Sequence, residues 1–464
     1  MLTTLAVLQA LTIVIGVYAM TTDLSLGALT SQPSPTEPTA SPADGTSPVP
    51  VVTAGPVLAQ LSAKSGDGPL PTKSTLTQQL TRALGDKALG DRVGAIVLDA
   101  ATGAQVFAAN QDMAVTPAST TKIVTCSAAL AALGPDSRLS TRAVLGSKPG
   151  TVVLVGGGDP FLAGPAAKED YPEQASIVTL ANRTAASLKA RGLQKITLYY
   201  DVSLFVGSPI PRGWKPNYIP DGEVSPVYAL AMDEGRRDYR LRPRVSNPPR
   251  HAADAFAKLL AKKGIAVGKS IRPGKAPAGA AELGKVDSAP LYAMVEHTLT
   301  RSDNDLAEAL LRHVAIKEGQ PASFEGGAKA VVAVLQRLGA GDGISLDDGS
   351  GLSTLNRITP HALAKLVAMA GSPNYPDLHA VATGLPIAGF SGTLGNGERF
   401  TSKDSKDQVG VVRAKTGTLN FVNTLAGLAP TRDGHLYTFA FMADDVPVNA
   451  EPVLDRLAAI VARS

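Results

Sequence analysis

Apolar runs and their spacing divide the chain into a leader, a linker and a folded region. Leu5 to Met20 (LAVLQALTIVIGVYAM) is sixteen residues without a charge, between the apolar core of a signal peptide and a short membrane span. Residues 31–71 hold nine of the 34 prolines among Ser, Thr, Ala and Gly, the composition of a disordered, partly polyproline tether. From Leu76 the spacing is that of packed elements. Leu76–Leu89 is helical, and Arg92–Asp99 and Gln105–Ala109 flank a Thr102-Gly103 turn as a hairpin. A small-residue helix over Ser119–Leu133 is stopped by Gly134-Pro135. From about 143 to 247 the pattern turns to short strands (TVVLVGGG, KITLYYDVSLF) amid Pro and Gly, which reads as an inserted lobe. Helical spacing returns at Ala252–Lys263, Leu291–Ala315 and Ala328–Leu338. Strand signals follow at 409–417, 421–428 and 436–443, and Val453–Val461 closes as an amphipathic helix.

Composition narrows the class. One Trp, ten Tyr and ten Phe in 464 residues leave Ala, Val, Leu and Ile to build the core, which suits helix-rich α/β packing. A net charge of +4 without basic blocks gives no support for nucleic-acid binding. The lone Cys126 excludes an internal disulfide, a Cys-based zinc site and a CxxC motif. Six scattered histidines form no HExxH pair, so neither a metal nor another cofactor is expected. No Lys or Arg precedes Lys64, whereas export signals begin with basic residues, so a translation start upstream of Met1 is expected.

Three short motifs carry the chemistry. Ser119-Thr120-Thr121-Lys122 is the one place where Lys stands third after Ser. On a helix i and i+3 share a face, so the amine reaches the hydroxyl. A serine needs such a base to become a nucleophile, and a lysine serves only if burial or nearby cations lower its pKa. Alone, Ser119 reads sooner as a helix cap than as a nucleophile. In the first helical turn, however, its own amide can stabilise an oxyanion. Ser302-Asp303-Asn304 opens a second helical run, where capping is again the ordinary reading. Lys415-Thr416-Gly417-Thr418 lies in a strand pattern that would turn Lys415 and the Thr416 hydroxyl toward a substrate carboxylate. There Gly417 would let substrate approach the backbone, and the Thr418 amide would be the second oxyanion donor.

The order SxxK, SDN, KTG is the signature of class A β-lactamases and penicillin-binding proteins. With 183 positions between Ser119 and Ser302 to hold the inserted lobe, the chain resembles the low-molecular-mass class C penicillin-binding proteins, the D-alanyl-D-alanine carboxypeptidase/endopeptidase family. The likeness covers about 75–463 and includes Gly157-Gly158-Asp159-Pro160, Asp201 with Phe205, Asp348-Gly349-Ser350-Gly351-Leu352-Ser353, and Leu385–Gly389 leading to Ser391-Gly392-Thr393-Leu394.

The resemblance implies an α/β (α+β) fold of the β-lactamase/transpeptidase type, an antiparallel sheet flanked by helices, with a second lobe inserted between SxxK and SDN. The expected organisation is a leader or anchor at 1–22, a linker at 23–73, a split catalytic domain at 74–142 and 248–464, and an inserted domain at 143–247. It further implies an extracytoplasmic enzyme of the bacterial envelope, acting on peptidoglycan stem peptides, acylated by β-lactams, and bound to the membrane if the leader is uncleaved. Ser119, Lys122, Ser302, Asn304 and Lys415 are the catalytic candidates. The amides of Ser119 and Thr418 are the oxyanion candidates, and Thr416, Gly417, Thr418, Asp159 and Arg357 the substrate-binding ones. Asp159 has an alternative as an Asx turn before Pro160. The family's usual Arg after SGLS is here Thr354, with Arg357 three residues on. No Asn lies between Asn304 and Asn356, so the deacylating loop of a class A β-lactamase is missing and slow deacylation is expected. Two rival readings are a β-lactamase, which would turn penicillin over rapidly, and a non-catalytic muropeptide sensor, which would form no covalent adduct.

Overall fold

The computed structural model describes residues 73–167, 171–395 and 397–464. The expected leader at 1–22 and nearly all of the linker lie outside the described residues. Helix α1 (Lys73–Leu84) leads into the hairpin of β1 (Arg92–Asp99) and β2 (Gln105–Ala109), and after a one-turn 3-10 helix at 118–120 comes α2 (Thr121–Leu133).

The next stretch builds a separate sheet. Its strands are β3 (Ser140–Leu145), β4 (Thr151–Val155), β5 (Lys195–Asp201), β6 (Ala266–Val267), β7 (Arg272–Pro273) and β8 (Glu282–Asp287), ordered β6-β5-β4-β3-β8 with β7 also on β5. Parallel β4 and β5 are joined through α3 (Ile177–Ala190), the crossover that parallel pairing requires. Ser176 starts this helix by accepting from the amides of Val178 and Thr179. Helix α4 (Pro248–Lys262) starts with Asn247 as cap and two prolines in its first turn.

The remaining chain forms α5 (Leu291–Arg301), α6 (Asn304–Lys317), α7 (Phe324–Arg337), the short pair β9 (Ile344–Ser345) and β10 (Arg357–Ile358), then α8 (Pro360–Gly371) and α9 (His379–Thr383). Strands β11 (Arg413–Leu419), β12 (Val422–Pro430) and β13 (Leu436–Asp444) precede the closing α10 (Glu451–Arg463).

The main sheet is antiparallel in the order β11-β12-β13-β1-β2, with Ile96 opposite Ala440 and Thr416 opposite Leu425. Its central strands are buried on both faces, which is why their sequences read as unbroken apolar runs. Alternate residues divide between two cores. Ala95, Val97, Phe439 and Phe441 pack on α1 and α10. Ile96, Leu98, Ala440 and Met442 pack with Ile123 and Val124 of α2 and the apolar faces of α6, α7 and α8. Helix α2 therefore runs through the middle of the larger core.

The expected end of the inserted lobe at 247 is corrected by α4. Its apolar face, Ala252, Phe256, Leu259 and Leu260, is buried with Leu180 and Leu188 of α3 against the second sheet. Because β8 completes that sheet, the lobe extends from Ser140 to Asp287. The Pro- and Gly-rich segment between β5 and α4 behaves differently again. Phe205, Trp214, Tyr218, Val224 and Val227 from it join the catalytic core, so this stretch roofs the helical layer.

Candidate active site

The turn that carries Ser119 is tied down by its neighbours on both sides. Ala118 has φ +48, a conformation that costs a non-glycine residue energy and needs neighbours to hold it. Thr121 Oγ1 donates to Ala118 O at 2.8 Å, and Thr120 Oγ1 and Thr424 Oγ1 both donate to Pro117 O, at 2.6 and 2.8 Å. Ser119 follows, at the entry to α2, and one turn on Lys122 is wholly buried. Its Nζ lies 3.1 Å from Ser119 Oγ, 2.7 Å from Asn304 Oδ1 and 2.7 Å from Ser350 O. Burial pushes the Lys122 ammonium down to about 8, against the opposing pull of Asp348, Glu308 and Asp303.

The SDN turn breaks what would otherwise be one long helix. Ser302 ends α5 in the left-handed region (φ +59, ψ +40), and Asp303 starts α6 by accepting from Leu306 N at 2.9 Å. Two cap-type residues in succession redirect the chain, so Asn304 reaches the Lys122 amine of α2 while Ser302 meets Lys415 of β11. Asn304 Nδ2 donates to Glu223 O of the lobe at 2.8 Å. Lys415 Nζ donates to Ser302 Oγ at 3.0 Å and to Thr416 O at 2.8 Å. Burial, with the nearby Lys122 charge, holds Lys415 well below the usual lysine range.

Strand β11 supplies an edge. It is outermost in its sheet, and Ala414 N donates outward to Pro386 O at 2.9 Å. By the two-residue period of a strand, the amides of Thr416 and Thr418 face the same way, past the segment at 386–388. The Thr416 hydroxyl is 2.8 Å from that of Thr393. Gly417 has a sharper role than expected. A Cβ there would lie 2.8 Å from Pro117 O, 3.1 Å from Ser119 N and 2.1 Å from Thr424 Oγ1. The glycine lets β11 close on the nucleophile turn and sets the Ser119 amide beside the strand carrying Thr418. The Thr418 hydroxyl is engaged by Glu451 Oε1 at 2.8 Å.

Two substrate-binding candidates have other partners. Asp159 is buried, its Oδ1 accepts from Phe161 N at 2.9 Å, and burial pushes its carboxyl up to about 7. This is the Asx turn, closed off from solvent. Arg357 donates from Nη1 to Thr354 O, Asn356 O and Thr116 Oγ1, which fastens the loop after SGLS to the chain entering the nucleophile turn. Cys126 is fully buried with its thiol pushed up to about 12, a packing residue. Glu234, His297 and Asp303 bring ligand-type atoms within 4.8 Å of one another. Arg236 and Arg244 already pair with Glu234, and His297 Nε2 lies 3.6 Å from Asp303 Oδ2 beside the SDN turn.

The residues that sequence reasoning missed lie behind the amine. Glu308 Oε1 and Oε2 accept from Ser350 N and Gly349 N at 2.8 and 2.9 Å. Asp348 accepts from Gly351 N and Asn356 Nδ2 on Oδ1 and from Trp214 Nε1 and Ser353 N on Oδ2. The signal was available: Asp348–Ser353 stood out as a motif, and Glu308 lies one helical turn after Asn304 on the same face.

Known proteins share this arrangement of chain. The family model described as D-Ala-D-Ala carboxypeptidase 3 (S13) matches residues 76–244 and 237–463. A carboxypeptidase of Mycobacterium tuberculosis is 36% identical over 398 residues, 84% of each chain. Carboxypeptidase DacB of Mycolicibacterium smegmatis is 35% identical over 399 residues, 85% of each chain. The crystal structure of penicillin binding protein 4 from Haemophilus influenzae superposes with a TM-score of 0.67 at 24% identity, covering 84% of this chain and 98% of that one, so the two have the same fold.

Proposed function

Because the chain belongs to the D-Ala-D-Ala carboxypeptidase S13 family, we propose that Ser119 is the nucleophile with which this hydrolase releases the terminal D-alanine of peptidoglycan stem peptides. The observation that carries the assignment is the coordination of Lys122. As a free amine it donates its two N–H bonds to Asn304 Oδ1 and Ser350 O, both at 2.7 Å. Its lone pair is then left for Ser119 Oγ at 3.1 Å.

The Ser119 proton passes to Lys122 Nζ as Oγ bonds to the carbonyl carbon of the penultimate D-alanine. The carbonyl electron pair moves to oxygen, held by the amides of Ser119 and Thr418. Return of that pair breaks the C–N bond. Ser302, held by Lys415, gives its proton to the departing amine and recovers the one Lys122 had taken. The remaining N–H of Asn304 Nδ2 holds the substrate amide, and Lys415, Thr416 and the Thr418 edge hold the terminal carboxylate. Water then cleaves the acyl-enzyme and regenerates Ser119. Endopeptidase action uses the same steps with a cross-bridged residue as leaving group.

β-Lactams acylate Ser119 as mimics of the D-alanyl-D-alanine amide. The adduct persists because the buried Glu308 carboxylate already accepts backbone amides on both oxygens and offers no base for water. No helix among the described residues is long and apolar enough to cross a membrane; the apolar segment at 5–20 is the export signal or anchor.

Intact mass after incubation with penicillin tests the reading. A stoichiometric adduct lasting minutes on the wild type and none on Ser119→Ala is expected. An equal adduct on Ser119→Ala would remove the nucleophile, and none on either would leave a sensor. Muropeptide analysis separates loss of terminal D-alanine from splitting of cross-linked dimers.

A further inference from the structure

Lys122 can act only if its lone pair points at Ser119, and the acceptor that aims it from behind is a backbone carbonyl in a loop, Ser350 O at 2.7 Å. Loops drift unless something fixes them. Here one side chain holds the two amides that precede that carbonyl in the chain. Glu308, fully buried on α6, grips the turn with both carboxylate oxygens on consecutive amides, Gly349 and Ser350. From the other side Thr125 Oγ1, on the nucleophile helix, donates to Gly349 O at 2.7 Å. The turn is tight for a second reason. Gly351 (φ +87) has Ala118 O within 1.9 Å of where a Cβ would stand, so any shift of the turn moves the residue before the nucleophile.

We infer that Glu308 is a positioning residue of the acylation step, acting on Lys122 through Ser350 as the carboxylate of a Ser-His-Asp triad acts on its imidazole. This deepens the proposed function and rests on it. Two effects follow from one side chain. The clamp orients the Ser350 carbonyl so that the second Lys122 N–H is occupied and the lone pair faces Ser119. In its ionised form, which the two amide donors favour although burial pushes the carboxyl up to about 8, it also stabilises the ammonium formed when the proton leaves Ser119 Oγ for Lys122 Nζ as the Oγ–carbon bond forms. Burial and the Asp348 charge raise the Glu308 carboxyl, and the amide donors work against them. The other groups whose charge bears on Lys122 are Asp348 beside the same turn, Asp303 at the start of α6, Cys126 on α2 and Lys415 on β11.

Stopped-flow penicillin acylation of Glu308→Gln, per titrated active site and across pH, tests it. The acylation constant is expected to fall about 10- to 100-fold. The noncovalent penicillin dissociation constant stays near wild type, and the ascending pH limb moves about one unit toward acid because the charge that held the ammonium is gone. A wild-type rate per site and an unmoved limb, with only the active fraction reduced, would make Glu308 a folding residue and overturn the inference. If the Gln variant does not fold, Glu308→Asp decides. Its retained charge should keep the limb in place while the shortened clamp slows acylation, and an unchanged rate would overturn it. Wild-type protein that forms no adduct would instead sink the underlying reading, before any variant is compared.

Discussion

At the scale of single residues, the proposed mechanism makes the protonation state of Lys122 set when the site can fire. A primary amine in water holds its proton to about pH 10.4. Here removal from water dominates and brings the value to about 8, although Asp348, Glu308 and Asp303 pull the other way. The base works when neutral, so the sign is fixed: penicillin acylation should climb with pH through an apparent pKa near 8 and level off above it. Lys122→Ala should fall about 10²- to 10⁴-fold, the usual worth of a positioned base. Lys122→Arg should be no better, because a guanidinium keeps its charge at any working pH. A limb centred near 6, or a Lys122→Ala variant with a normal rate, would move the base elsewhere. Ser302 obeys the same logic one contact away, since its hydroxyl is held by Lys415, itself kept well below the usual range.

At the scale of elements, the site depends on how closely β11 approaches the nucleophile turn, and Gly417 sets that approach. A methyl group there meets Thr424 Oγ1 at 2.1 Å and Pro117 O at 2.8 Å, and Pro117 O is backbone and cannot swing away. Gly417→Ala should therefore displace the strand by a fraction of an ångström and reduce acylation on the order of 100-fold. Far-UV circular dichroism should stay native, and acylation within threefold of wild type would show that the strand has room. Strands β12 and β13 were legible because burial on both faces writes them as apolar runs, and 421–428 and 436–443 fall on them with small shifts at their ends, whereas the apolar run at 409–412 lies in the turn before β11, which begins only at Arg413. The three motifs were legible because helix and strand periods place their side chains on one face. Helices α3 and α8 escaped the reading. The first lies in a stretch whose Pro and Gly content pointed to strands and loops, and the second carries its start signal in only two residues, Thr359 as cap and Pro360 in the first turn. Glu308 escaped for another reason: its spacing from Asn304 puts it on the same face of the helix, but its partners are backbone amides 41 and 42 residues away, so its task cannot be read locally.

At the scale of the whole molecule, the inserted lobe is joined to the catalytic machinery through its roof. Two of its contacts reach the site itself: Glu223 O takes an Asn304 N–H, and Trp214 Nε1 donates to Asp348 Oδ2 at 2.8 Å. Asp348 in turn orders the loop that presents Ser350 to Lys122. Trp214 is the sole tryptophan and is buried, edge-on to Phe324 of α7 at 5.8 Å between ring centroids. Phenylalanine in its place keeps most of the apolar contact but deletes the N–H, leaving a buried carboxylate oxygen one donor short. A group so deprived costs about 1–3 kcal/mol, and for a chain of this size each kcal/mol lowers the thermal midpoint by roughly 2–4 °C or less. Trp214→Phe should therefore melt several degrees lower and acylate more slowly than wild type, though less severely impaired than Glu308→Gln. The stronger check is a cycle with Asp348→Asn. If roof and loop act as one unit, the two substitutions together should cost clearly less than their sum. Strict additivity in both midpoint and acylation rate would mean that the lobe covers the site without organising it.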